Sequence, residues 1–173
     1  MNPRAAFVEP PGLPAPEWHT SQWFNHAGPL RLSALRGKVV VLHAFQMLCP
    51  GCVQHGLPQA QRIQRQFAGH DVAVIGLHTV FEHHAAMTPV SLAAFLHEYR
   101  VGFPVGVDAP GANAGEPIPQ TMRAYGMQGT PSLVLIDRQG HLRRHGFGAE
   151  DDLSVGAAIA WLLAETRQGP NPG

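Results

Sequence analysis

Val39-Val40-Val41-Leu42-His43-Ala44-Phe45 runs, after three intervening residues, into Cys49-Pro50-Gly51-Cys52. A short apolar run rich in β-branched residues and broken only by His43 predicts a central strand covered on both faces. Val72 to Leu77 is a second run of the same kind. The segment between them reads as a helix that begins at the cysteines and continues to Phe67. Ile63 and Phe67 share one of its faces at i, i+4 spacing, and Gly56 and Pro58 predict a bend. Strand, helix and strand in that order require a right-handed crossover and a parallel pair, which makes the core α/β.

Outward from this unit the remaining elements follow from turn and cap signals. Thr20 to Phe24 and Leu30 to Leu32, separated by Asn25 to Pro29, are expected to form a small hairpin that extends the sheet at its N-terminal side, with Trp18 and Trp23 as packing groups. Thr88-Pro89 supplies a capping hydroxyl and a first-turn proline for a helix through Tyr99, striped by Leu92, Phe95, Leu96 and Tyr99. Phe103 to Val107 reads as a short strand. Asp108 to Pro119, rich in Gly and Pro, reads as a loop and a candidate rim of the site, leading to a helix at Gln120 to Tyr125. Ser132 to Ile136 and Leu142 to Phe147, joined by Asp137 to Gly140, predict a hairpin, and Asp151 to Thr166 a capped terminal helix. The expected organisation is a Pro-rich segment at 1–16, one domain at 17–167 and a fraying tail at 168–173.

A chain of 173 residues can bury one core without disulfide or metal staples. Twelve basic residues balance twelve acidic ones with no cationic cluster, so neither nucleic acid nor an anionic membrane is an indicated partner. Residues 1–16 carry five prolines and lack both a basic leader and an apolar stretch of about 7 to 15 residues. No apolar run approaches the ~20 residues that cross a bilayer. The expectation is a cytoplasmic protein, in which a transient, reactive disulfide is favoured over a permanent one.

Only two cysteines exist, so any sulfur chemistry runs through Cys49 and Cys52. At the first turn of a helix, Cys49 is the expected attacker, its thiolate favoured by helix amides and by the positive end of the macrodipole. A zinc site is the competing use of such a pair. It normally needs four ligands, yet there is no second CxxC, His83 and His84 are adjacent, and His55 still leaves a fourth donor missing. No metal and no cofactor beyond a redox-active disulfide is expected.

Gly37-Lys38-Val39-Val40-Val41-Leu42 entering a strand, Cys49-Pro50-Gly51-Cys52 at its end and Gly129-Thr130-Pro131-Ser132 before a hairpin occur here in the order that resembles the thioredoxin superfamily, more closely its redoxin branch with the TlpA and ResA thiol-disulfide oxidoreductases. The resemblance spans Trp18 to Glu165. It implies a thioredoxin-like fold, a central mixed β-sheet flanked by helices, with Cys49 as nucleophile and Cys52 as resolving thiol. It also implies a cis Pro131 facing the thiols, with Thr130 and Pro131 offering a backbone edge to substrate beside Pro50 and Gly51. Three positions depart from the family pattern. Leu48 replaces an aromatic residue, Pro58 falls six residues after Cys52 where five is usual, which implies a bulge or shifted kink, and His43 stands where thioredoxins bury an aspartate.

An imidazole at 43 can accept the Cys52 proton, or can equally be a buried neutral group bonded to backbone. His78, ending the next strand, and Glu82 are candidate neighbours of the thiols at the carboxyl edge of the sheet. The leading expectation is thiol-disulfide exchange with protein or small-molecule thiols and disulfides, fed by an electron donor the sequence does not identify. A peroxiredoxin-like peroxidase with Cys52 as the peroxide-attacking thiol is the alternative, although Phe45 and Cys49 stand near the positions where such sites use Thr and Pro. A thiol-based copper or zinc carrier using His43 or His78 is the third.

Overall fold

The computed structural model describes residues 12–113 and 115–165. The expected tail at 168–173 and most of the Pro-rich opening lie outside them. Six strands form one sheet in the order β1-β4-β3-β2-β5-β6: β1 (Thr20–Phe24), β2 (Val39–Phe45), β3 (Val72–His78), β4 (Val105–Asp108), β5 (Ser132–Ile136) and β6 (Leu142–Phe147). β2 pairs in parallel with β3, and β3 with β4, while β1, β5 and β6 run antiparallel to their neighbours. The sheet is therefore mixed.

Helices α1 (Leu57–Gln66), α2 (Pro89–Glu98), α3 (Gln120–Ala124) and α4 (Asp152–Ala164) cover it. Val39, Val41 and Phe45 join Val74, Val105, Leu133 and Leu135 under α1, α2 and α4. Val40, Leu42 and Ala44 point the other way, with Ile75, Leu77, Val134 and Ile136, under α3, Trp18 and Leu32. Every residue of β2 is buried, which is why its sequence shows no polar alternation. Gly76 has a packing reason: a Cβ there would lie 2.9 Å from Val105 Cγ2 and 3.0 Å from the Phe103 ring.

The expected hairpin of Thr20–Phe24 with Leu30–Leu32 does not form. β1 pairs with β4 at the sheet edge, and Leu32–Leu35 is a 3₁₀ turn. Asn25 turns the chain at φ 56° and donates its side-chain amide to the carbonyls of Val101 and Phe103 at 2.7 and 3.1 Å, tying the end of β1 to the approach of β4. The Glu17 carboxylate accepts from the amides of Leu32 and Ser33, which holds the 3₁₀ turn against the second core. The folded unit also starts earlier than residue 17, since Leu13 O accepts from Leu142 N and Ala15 N donates to Gly140 O.

Thr88 caps α2 by accepting from Ser91 N, and Asp151 caps α4 by accepting from Ser154 N at 2.9 Å. Asp108 holds α3 in place. Its carboxylate accepts from the amides of Thr121 and Met122 and from the Thr79 hydroxyl, at 2.8 to 2.9 Å. No helix among the described residues is long and apolar enough to cross a membrane.

Candidate active site

β2 ends at Phe45, and Gln46, Met47 and Leu48 carry the chain to the thiols. Cys49 N donates to Gln46 O at 3.2 Å, and Val53 N to Cys49 O at 3.1 Å, so Cys49 caps the helical segment that Pro50 opens. Proline suits that first position because its missing N–H has no partner to lose. Cys52–Gly56 is a single π-helical turn, in which Leu57 N donates to Cys52 O, and it leads directly into α1. The extra residue before Pro58 is absorbed there, as the spacing predicts.

The two thiols are unequal. Cys49 is half-buried and Cys52 fully buried. Cys52 N donates to Cys49 Sγ at 3.2 Å, and Cys49 Sγ donates to Thr130 O at 3.4 Å. Burial first, then the hydrogen bond with Cys49, pushes the Cys52 thiol up to about 12, although contacts with the Gln46 backbone and the Thr130 side chain pull the other way. The Thr130–Pro131 peptide is cis, and a Cβ on Gly51 would lie 3.3 Å from the Pro131 ring. Pro50, Gly51, Thr130 and Pro131 thus converge on the thiols.

In front of Cys49 lies an open groove of about 420 Å³, and Leu48, Phe81, Glu82, Thr130 and Phe147 contribute to its walls. The rim comes from the loop after β3, not from Asp108–Pro119, because β4 lies two strands from β2 and its loop opens over α3. Gln46 is a site residue that the sequence reading misses. Its buried amide donates to Glu82 Oε1 at 3.4 Å and accepts from Phe81 N at 3.3 Å. A polar side chain directly after a strand that is apolar but for His43 is the available signal.

His43 stands behind the thiols and outside the groove. Its ring lies parallel to Phe45 at 6.0 Å, is 1% exposed, and borders a cavity of about 70 Å³ shared with His55, Gln59, Arg62 and Glu150. Nε2 has no hydrogen-bond partner among the described residues, and burial lowers the imidazole to about 4. Gly56 makes room for the ring, since a Cβ there would lie 2.3 Å from His43 Cε1. His78 is also buried, packs on Phe45 at 5.3 Å, is held to about 4 by burial, and does not line the groove. Its side chain points into the core on the same face as His43 and Phe45, so of the two expected neighbours only Glu82 reaches the site.

Among the described residues no group of three His, Cys, Asp or Glu side chains converges to hold a metal ion. The sheet order and the thiol pair at the end of its central strand define a thioredoxin-like dithiol protein. Residues 11–145 match the model of the AhpC/TSA family, and the chain belongs to that family. It is similar to the crystal structure of the thioredoxin-like superfamily protein SPOA0173, with 61% identity and a TM-score of 0.85 over 89% of this chain and 98% of that one. It is also similar to a thiol-disulfide isomerase from Corynebacterium glutamicum, with 51% identity and a TM-score of 0.83 over 88% and 97% of the two chains. Protein DipZ of Mycobacterium bovis is 28% identical over 149 residues, which are 85% of this chain and 20% of that protein. The chain thus spans about a fifth of the length of the curated relatives it matches.

Proposed function

We propose that the protein is a thiol-disulfide oxidoreductase in which Cys49 attacks and Cys52 resolves. One observation carries the reading: Cys49 alone borders the open groove, while Cys52 is buried behind it with its amide directed at the Cys49 sulfur. The Cys49 thiolate attacks a substrate disulfide, the substrate S–S bond breaks, and one substrate sulfur leaves as thiolate. Cys52 then loses its proton and attacks Cys49 Sγ, which releases the second substrate thiolate and leaves the Cys49–Cys52 disulfide. Two electrons pass to the substrate, and a dithiol donor restores the pair.

His43 is the acceptor we assign to the Cys52 proton. Burial pushes the thiol up to about 12 and holds the imidazole to about 4, so transfer between them is uphill in the resting dithiol and the assigned role is confined to the moment when Cys52 attacks. Resolution rates followed against pH in His43→Ala test this role, and an unchanged profile removes it. We assign the chain to the cytoplasm, where the reducing poise would keep the pair as dithiol, with protein or small-molecule disulfides as substrates. Rapid acid quench and alkylation of cells should find the pair mostly as dithiol.

The decisive experiment is trapping. Cys52→Ser should accumulate a stable mixed disulfide on Cys49, visible by mass spectrometry, and Cys49→Ser should lose disulfide reduction by at least about a thousandfold. If Cys49→Ser instead keeps reacting with hydrogen peroxide through Cys52, the peroxidase reading replaces this one.

A further inference from the structure

Two walls of the groove are apolar and one is charged. Leu48 and Phe147, 57% and 45% exposed, are among the few large apolar side chains the fold leaves in solvent, and both border the groove that Cys49 lines. Phe81 adds a third ring, half-buried. Glu82 is the one carboxylate on the lining, where no lysine or arginine stands. Its place is held by Gln46, itself 1% exposed, which grips Glu82 Oε1 through its amide nitrogen and Phe81 N through its amide oxygen. Gln46 also accepts from Cys49 N. One buried residue therefore sets both the attacking sulfur and the acidic rim.

We infer that the groove selects a polypeptide disulfide whose cysteine is flanked by an apolar residue and by a lysine or arginine, and that it disfavours anionic low-molecular-weight disulfides such as glutathione disulfide. This rests on the oxidoreductase reading above. An apolar flanking side chain covers Leu48 and Phe147 and removes their surface from water. A cationic one meets Glu82, whereas the carboxylates of a small anionic disulfide are brought against it with no lysine or arginine to receive them, His83 being the one imidazole on the lining. Gln46 is a positioning residue: it touches no substrate and keeps the carboxylate over the groove.

The test uses the full chain and end-capped single-cysteine peptides carried as mixed disulfides with the chromophore 5-thio-2-nitrobenzoate. Cys49 attacks the peptide sulfur, the aromatic thiolate leaves and is read by absorbance, and Cys52 then frees the peptide thiol. Peptides differ only in Lys or Glu on one side of cysteine and Leu or Ser on the other. We expect the Lys peptide to react about fivefold faster than the Glu peptide at low ionic strength, with the ratio falling towards one as salt is added. Glu82→Gln should bring the ratio close to one, Glu82→Lys should invert it, and Gln46→Met should lower it. Replacing both Leu48 and Phe147 by serine should erase the preference for Leu over Ser.

Each ratio is taken on one protein sample, so partial misfolding of a variant cancels. Equal rates for Lys and Glu peptides, or a ratio that survives Glu82→Gln, overturn the selection while leaving the oxidoreductase reading in place. A wild-type chain that reacts with none of the peptides overturns both.

Discussion

Cys49 and Cys52 lie on one turn, yet burial separates their chemistry. At neutral pH a thiol pushed up to about 12 is thiolate only to about one part in a hundred thousand, and reaction with alkylating reagents follows the thiolate. Iodoacetamide should therefore label Cys49 first, with Cys52 slower by at least about a hundredfold in peptide mapping. Equal labelling would contradict the burial of Cys52. His43 and His78 carry a pH signature of their own. In the folded chain each is held neutral by burial, with its pKa lowered from 6.5 to about 4. Between these values the unfolded chain binds more protons, so the stabilisation is full above about pH 6.5 and is lost as pH falls towards about 4. Two such groups remove about 4 kcal/mol between about pH 7 and pH 5. Urea midpoints at the two pH values check this, and His78→Phe should recover about half of the loss.

The elements that the sequence makes legible are those with a local cause. The apolar runs of β2 and β3, the turn between β5 and β6, and the Thr88 and Asp151 caps all form where their residues predict, and even the π-turn is announced by the spacing from Cys52 to Pro58. What stays hidden depends on partners far along the chain. β1 finds β4 because Asn25 reaches Val101 and Phe103, and no local pattern distinguishes that from a hairpin. Glu82 becomes a site residue through Gln46, whereas His78, only four residues earlier, turns into the core. Gly56 tests the π-turn directly. An added Cβ would lie 2.3 and 2.7 Å from His43 ring atoms and 3.0 Å from Pro131 Cβ. Gly56→Ala should cost about 1–3 kcal/mol of stability by overpacking. Much of that cost should vanish in a His43→Ala background, where the ring is gone. A double-mutant cycle with less than about 0.5 kcal/mol of coupling would show that the glycine serves something other than the imidazole.

Across the whole molecule the two ends of the sheet divide the work. The carboxyl ends of β2 and β3 open onto the thiols and the groove, while the opposite end is locked by guanidinium groups. Arg138 donates to Gly37 O at 2.9 Å and pairs with Asp71 at 3.0 Å. Arg143, 0% exposed, makes a two-pronged contact with Glu165 at 2.6 and 2.7 Å and stands 3.5 Å from Asp137, so it joins β6, the β5–β6 turn and the end of α4. Removing one member of a buried pair costs more than replacing the whole pair with apolar groups of similar shape, because the remaining charge is stranded away from water. Glu165→Ala leaves Arg143 buried with Asp137 as a weaker partner, whereas Arg143→Met leaves the Glu165 carboxylate partly open to solvent and the buried Asp137 still accepting from the amides of Gln139 and His141. Glu165→Ala should therefore destabilise by about 3 kcal/mol and Arg143→Met by clearly less. Urea unfolding measures both. Because this lock sits at the far end from Cys49, the folded fraction of either variant should keep the wild-type rate of disulfide exchange, and a fall in that rate per folded molecule would mean that the two ends are mechanically coupled.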